Sequence, residues 1–153
     1  MPKLTEDQQN QRRNRILDAA ESCFASSGFH STTMQDICKA AGISAGALYV
    51  YFASKEALIA GLAGRDRAEI LGKVAHLADA PDFAAGLQML MRSAIVEQPA
   101  HKMKLWLEIA AEATRNADVA KSFFECDGAI RSALENILRR AQAEGRIAPA
   151  MPD

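Results

Sequence analysis

Proline is scarce in this chain, with five in 153 residues, and runs of Val, Ile and Thr are equally rare. Ala and Leu dominate instead, so few breakers interrupt a composition that favours helix. Long apolar runs are missing too: none approaches the ~20 residues that span a bilayer, so no membrane partner is expected. The first residues, Met1-Pro2-Lys3-Leu4-Thr5-Glu6-Asp7, lack the apolar core of a secretory signal. A cytoplasmic protein is the expectation. Three cysteines (Cys23, Cys38, Cys126) are too few and too scattered for a disulfide framework. Cys23 and Cys38 fall on apolar helical stripes and read as small buried hydrophobes. His76, His101 and Cys126 have no metal-ligand spacing, and no metal or cofactor is expected. Charge of one sign is lacking as well. The net charge is -1, which excludes a wholly basic nucleic-acid binder.

Helical periodicity divides the chain into seven segments. Segment one runs from about Gln9 to Ser27, with Ile16, Leu17, Ala20, Cys23 and Phe24 on one face and Gly28 as its stop. Segment two starts at Thr32 or Thr33, where Thr32 and Gln35 have the spacing of a capping box. Gly42 turns the chain, and Ser44 caps segment three, which ends near Phe52. Ser54 caps segment four, Lys55 to about Ala78, whose three glycines (Gly61, Gly64, Gly72) imply a bend or a close approach. Asp82 caps segment five, which Pro99 ends. Segment six, Ala100 to about Asn116, is apolar enough to be buried on several sides. Segment seven, about Asp118 to Glu144, carries a stripe from Val119 to Ala141 and stops at Gly145. The fold class is therefore all-α, with about seven helices.

Segments two to four have the form of a helix-turn-helix followed at once by a long helix. Segment three has small residues at its front and tyrosines behind, which suits a recognition helix in a DNA major groove. Residues 1–55 carry six Lys/Arg against five acids, and the remainder twelve against fourteen, so the head is only slightly basic. The Arg12-Arg13-x-Arg15 knot is either a phosphate site or a solvated helix start. Gly42-Ile43-Ser44-Ala45-Gly46 matches the nucleophile-elbow pattern, but an elbow needs a strand before its serine. Here the preceding residues continue a helical stripe, so no enzyme is expected.

Dense matches carry a resemblance over about 45 residues. They are Ile16-Leu17-x-Ala19-Ala20, Phe24-x-x-x-Gly28-Phe29, Thr32-Thr33, Ile37, Ala40-Ala41-Gly42-Ile43-Ser44-x-Gly46-x-Leu48-Tyr49-x-Tyr51-Phe52 and Ser54-Lys55-Glu56-x-Leu58. In these the chain resembles the DNA-binding domain of the tetracycline-repressor (TetR) family of transcription regulators. The resemblance implies a homodimer on a palindromic double-stranded DNA operator, released by a small-molecule effector. It implies a DNA-binding head at 1–53 and an effector-binding and dimerisation body at 54–153. Thr33 and Gln35 then contact phosphate, while Ser44, Ala45, Gly46 and Ala47 face bases. Tyr49, Tyr51 and Lys55 fall at backbone-contact positions, the plain alternatives being core aromatics and a solvated charge. Ala45 and Ala47 touch only thymine methyls, and no Arg or Asn on this helix reads a base in two-point fashion. Base readout is expected to be modest, with a large share from DNA shape.

The body is only generically similar to the family. Its expected pocket is lined by Met89, Met103, Trp106, Ile109, Phe123 and Phe124, adaptable surface for an apolar or aromatic effector. Asp127 sits at the edge of that stripe, either bonding a ligand or facing solvent. The resemblance also implies C-terminal dimerisation helices, for which this sequence is short. The alternative expectation is thus a shortened helical interaction protein that pairs with a full-length relative and binds DNA poorly alone.

Overall fold

The computed structural model describes residues 5–148. Among them it contains seven α-helices, one π-helical turn and no strand. The helices are α1 (Glu6–Ser27), α2 (Met34–Ala41), α3 (Ala45–Tyr51), α4 (Lys55–Ala78), α5 (Phe83–Met91), α6 (Ala100–Ala113) and α7 (Ala117–Ala143). They form two compact units: the chain up to Ala63 with Pro99–Phe123, and Gly64–Gln98 with the chain from Phe124. This grouping cuts across the division at residue 53, because the first turns of α4 and all of α6 belong with the head.

In the first unit, each boundary has a local cause. Thr5 and Gln8 form a capping box that starts α1 a turn earlier than its apolar stripe indicates. Gly28, at φ +80°, ends it. The start of α2 corrects the expected cap. Thr33, not Thr32, is the N-cap, and its box partner is Asp36 rather than Gln35. The Thr33 hydroxyl accepts from the Asp36 amide at 3.1 Å and donates to Asp36 Oδ2 at 2.6 Å. Thr32 instead is buried, its hydroxyl donating to the carbonyls of Gly28 (2.8 Å) and Cys23 (3.1 Å). It thereby satisfies carbonyls at the end of α1, a tertiary role that the local pattern does not reveal.

Gly42 adopts the left-handed conformation (φ +67°, ψ +39°), and the Ile43 amide reaches back to the Cys38 carbonyl at 3.0 Å. Only a residue without Cβ takes this turn cheaply, and it swings the chain from α2 into α3. Ile16, Leu17 and Phe24 of α1, Ile37 of α2, Leu48 of α3 and Leu58 of α4 are fully buried in one core. At Gly61 of α4 a Cβ would lie 2.8 Å from a Phe52 ring carbon and 2.9 Å from a Leu17 methyl. That glycine marks a close approach, while nothing comes within 4 Å at Gly64 or Gly72.

Helix α6 departs from expectation. It is not buried on several sides. Only Leu105 and Glu112 are buried, with Ile109 packed against the core between them. These three share one face, at spacings of four and three residues, and α6 rests on α1. Met103, Trp106 and Leu107 are exposed. Two carboxylates secure this packing: Glu112 meets His30 Nε2 and Arg115 Nε, each at 2.8 Å, and Glu21 of α1 meets His101 at 3.3 Å.

The second unit centres on Val74, Leu77, Phe83, Leu90 and Ala141. Asp82 caps α5 by accepting from the Ala85 amide at 2.9 Å. The helix does not run unbroken to Pro99, because Arg92–Val96 widen into a π-helical turn. Arg146 donates to the Ala78 carbonyl at 2.9 Å and lies over the Phe83 ring.

Candidate nucleic-acid interface

The turn at Gly42 and the cap at Ser44 set the direction of α3. Ser44 Oγ accepts from the Ala47 amide at 3.3 Å. Ser44 follows a helix and a turn, not a strand, so the geometry of a nucleophile elbow is absent around it. Leu48 is buried and Phe52 nearly so, which anchors α3 by one face. The opposite surface is open: Ala45, Gly46, Tyr49 and Val50 are exposed, and Ala47 is half-buried. Gly46, Tyr49 and Val50 share a helix face by their spacing, and Val50 reaches 80% exposure.

Val50 is the residue that sequence reasoning passed over. It looks like one more apolar residue beside two tyrosines. The available signal is its position four residues after Gly46, two from buried Leu48. An exposed branched side chain there offers a methyl surface of the kind that contacts thymine.

The other expected contacts divide by environment. Gln35 is exposed in the first turn of α2. Thr33 is exposed too, but its hydroxyl is engaged by Asp36. The Thr33 hydroxyl and then its amide, both donating to the carboxylate, hold Asp36 below its ordinary pKa. Tyr51 is half-buried against the core, unlike Tyr49, which is 54% exposed. Lys55 begins α4, and its ammonium donates to the Phe29 carbonyl at 2.7 Å and stands 4.5 Å from the centre of the Phe29 ring. It ties α4 to the connector between α1 and α2. All nine expected DNA-contact residues belong to the first compact unit.

The expected effector-pocket residues are split between units. Met103, Trp106, Ile109 and Phe123 belong to the first, where Trp106 and Phe123 stack at 5.7 Å between ring centres. Met89, Phe124 and Asp127 belong to the second, and all three are exposed. Burial raises the Cys23 thiol above its ordinary pKa, with Asp36 adding to the effect, and burial also raises Cys126. Thiols shifted this way hold little reactive thiolate.

Against known proteins, residues 16–62 match the family model described as bacterial regulatory proteins, tetR family. The chain is 34% identical over 137 residues to the HTH-type transcriptional regulator UidR of Escherichia coli (strain K12), covering 90% of this chain and 69% of that protein. It is 31% identical over 153 residues to the HTH-type transcriptional repressor Rv1474c of Mycobacterium tuberculosis, covering 99% and 78% respectively. Among solved structures it is similar to Salmonella enterica GusR, with a TM-score of 0.77 and 35% identity over 99% of this chain and 77% of that one.

Proposed function

Since the chain belongs to the TetR family of bacterial regulatory proteins and is a DNA-binding transcriptional regulator, we propose that it is a ligand-responsive repressor. It binds a palindromic operator as a homodimer, and a small apolar or aromatic molecule releases it. Residues 1–53 read the DNA, and residues 54–153 bind the effector and pair the subunits. The observation that carries this reading is α3: seven residues, anchored by Leu48, with Ala45, Gly46, Tyr49 and Val50 open to solvent. Its slim front enters the groove, and the Tyr49 hydroxyl and free amides of the first turn of α2 meet phosphates. The repressor assignment draws on the Mycobacterium tuberculosis relative, which is named as one.

Selection of binding sites from random duplex DNA near ~100 mM salt tests the reading. Recovery of a two-fold palindrome supports it. Recovery of a lone half-site, or of nothing above a salt-sensitive background, moves the weight to a second reading.

That second reading is a helical interaction protein that needs a helical partner to bind DNA well. The exposed Met103, Trp106 and Leu107 of α6 favour it, as an apolar surface suited to a protein partner. Mass by light scattering separates the two: a dimer supports the first, a monomer the second.

A further inference from the structure

A polar cleft of about 320 Å³ lies between the first half of α1 and the turn that enters α3. Its floor is apolar, made by Ile16 and Ile43. Its α1 wall is Gln8, Gln11, Arg12 and Arg15. These recur at the spacing that puts residues on one helix face. A helix usually turns apolar side chains toward a neighbouring helix pair; this one turns two amides and two guanidiniums. No carboxylate lines the cleft. The acids of α1 (Glu6, Asp7, Asp18, Glu21) are all outside its lining.

The donors are also available. Among the described residues the Arg12 guanidinium has no hydrogen bond or ion pair. Arg15 donates to the Ala41 carbonyl at 3.5 Å, which aims it along the cleft wall. The Gln8 side-chain oxygen accepts from the Thr5 amide at 3.0 Å, so the end of Gln8 left for a ligand is its NH₂. The site thus offers donors and positive charge to an acceptor-only group. Planar guanidinium forks match the oxygens of a phosphate.

Position selects which phosphate. Ile43, which lines the cleft, is two residues before Ala45, so this part of the lining lies within about 7.6 Å of the front of α3. The major groove is about 12 Å wide, so a helix front seated in it has a sugar-phosphate rail roughly 6 Å to either side. From this we infer that Gln8, Gln11, Arg12 and Arg15 form a clamp for a DNA backbone phosphodiester beside the entry of α3. The inference rests on the proposed DNA-binding role of α3 and extends its footprint to α1. The clamp supplies affinity and register, not base preference.

The test uses the full chain on its selected operator, with binding measured by fluorescence anisotropy from 50 to 200 mM salt. Each phosphate contact contributes a slope of about 0.9 in log K against log salt. Arg12→Gln with Arg15→Gln removes the contact to that one phosphate, so it should lower the slope by about one and weaken binding at 50 mM salt, with the same base preference. Arg12→Lys with Arg15→Lys keeps both charges and should restore most of the slope. Gln11→Glu removes no arginine and places a repelling charge in the cleft, so it should weaken binding on its own. It also covers the case in which the double variant fails to fold. A methylphosphonate at the flanking phosphate should weaken the wild type and leave the double glutamine variant unaffected.

An unchanged slope in the folded double variant, with wild-type binding intact, overturns the clamp and leaves the α3 reading standing. Absence of sequence-specific DNA binding by the wild type itself overturns both. If inorganic pyrophosphate binds the wild type but not the double variant by calorimetry, and the DNA slope is unchanged, the cleft holds a free anion and the DNA assignment is overturned.

Discussion

At the scale of single residues, two neighbouring threonines do different work. Thr33 caps α2 and holds the Asp36 carboxylate, whereas Thr32 is buried against the end of α1. Thr33→Ala should cost roughly 1 kcal/mol in urea unfolding at neutral pH. The same variant should change the acid limb of stability. The native pKa of Asp36 is depressed, so its contribution is complete above the ordinary carboxylate value of about 3.9 and disappears as pH falls through the native value. Unfolding curves between pH 5 and the acid transition should therefore be less steep in pH for Thr33→Ala than for wild type. A parallel slope would show that the carboxylate is not stabilised by this cap. Tyr49 offers a separate test on DNA. Tyr49→Phe removes a neutral donor, and a hydrogen bond to a charged group is worth about 1.5–3 kcal/mol. Operator affinity should fall roughly tenfold or more with the salt slope unchanged. Wild-type affinity in this variant would assign the exposed ring to another purpose.

At the scale of elements, the three glycines of α4 are not equivalent. Gly61→Ala forces a methyl against Phe52 and Leu17 and should destabilise the fold by about 1–3 kcal/mol. Gly64→Ala meets nothing and should stabilise by up to about 1 kcal/mol through helix propensity. Thermal melts of the two variants should therefore move in opposite directions. Sequence alone left bend and close approach open for these positions, since a glycine signals its missing side chain but not its neighbour. Most helix limits were legible, because caps such as Ser44, Ser54 and Asp82 act within a turn of sequence. The cap of α2 was not: Thr32 and Thr33 both satisfy the local pattern, and only the carbonyls at the end of α1 decide between them. The one-sided seating of α6 was hidden for a similar reason. Its apolar composition reports how much surface avoids water, not which part α1 covers. At the candidate interface Ala45, Gly46 and Tyr49 were readable as the open side of α3, but exposed Val50 was not, and the attachment of Lys55 to the Phe29 carbonyl is a contact across 26 residues.

At the scale of the whole molecule, the proposed repressor is two heads working together. Half-sites read by paired helix-turn-helix heads are about 34–36 Å apart, one turn of DNA. Inserting about five base pairs between the half-sites rotates one to the opposite face of the duplex. Affinity should then drop to that of an isolated half-site, as gel-shift titration would measure. Equal affinity for both spacings would mean that each head binds independently. Within each head, the open front of α3 has an evolutionary consequence. Ala45 and Gly46 are both exposed, and a Cβ added at Gly46 meets nothing within 4 Å. At Gly46 a longer side chain even favours the helix. On the proposed reading of α3, a duplicated copy of this regulator can therefore acquire a new operator through a single codon change, with stability and novelty selected in the same direction.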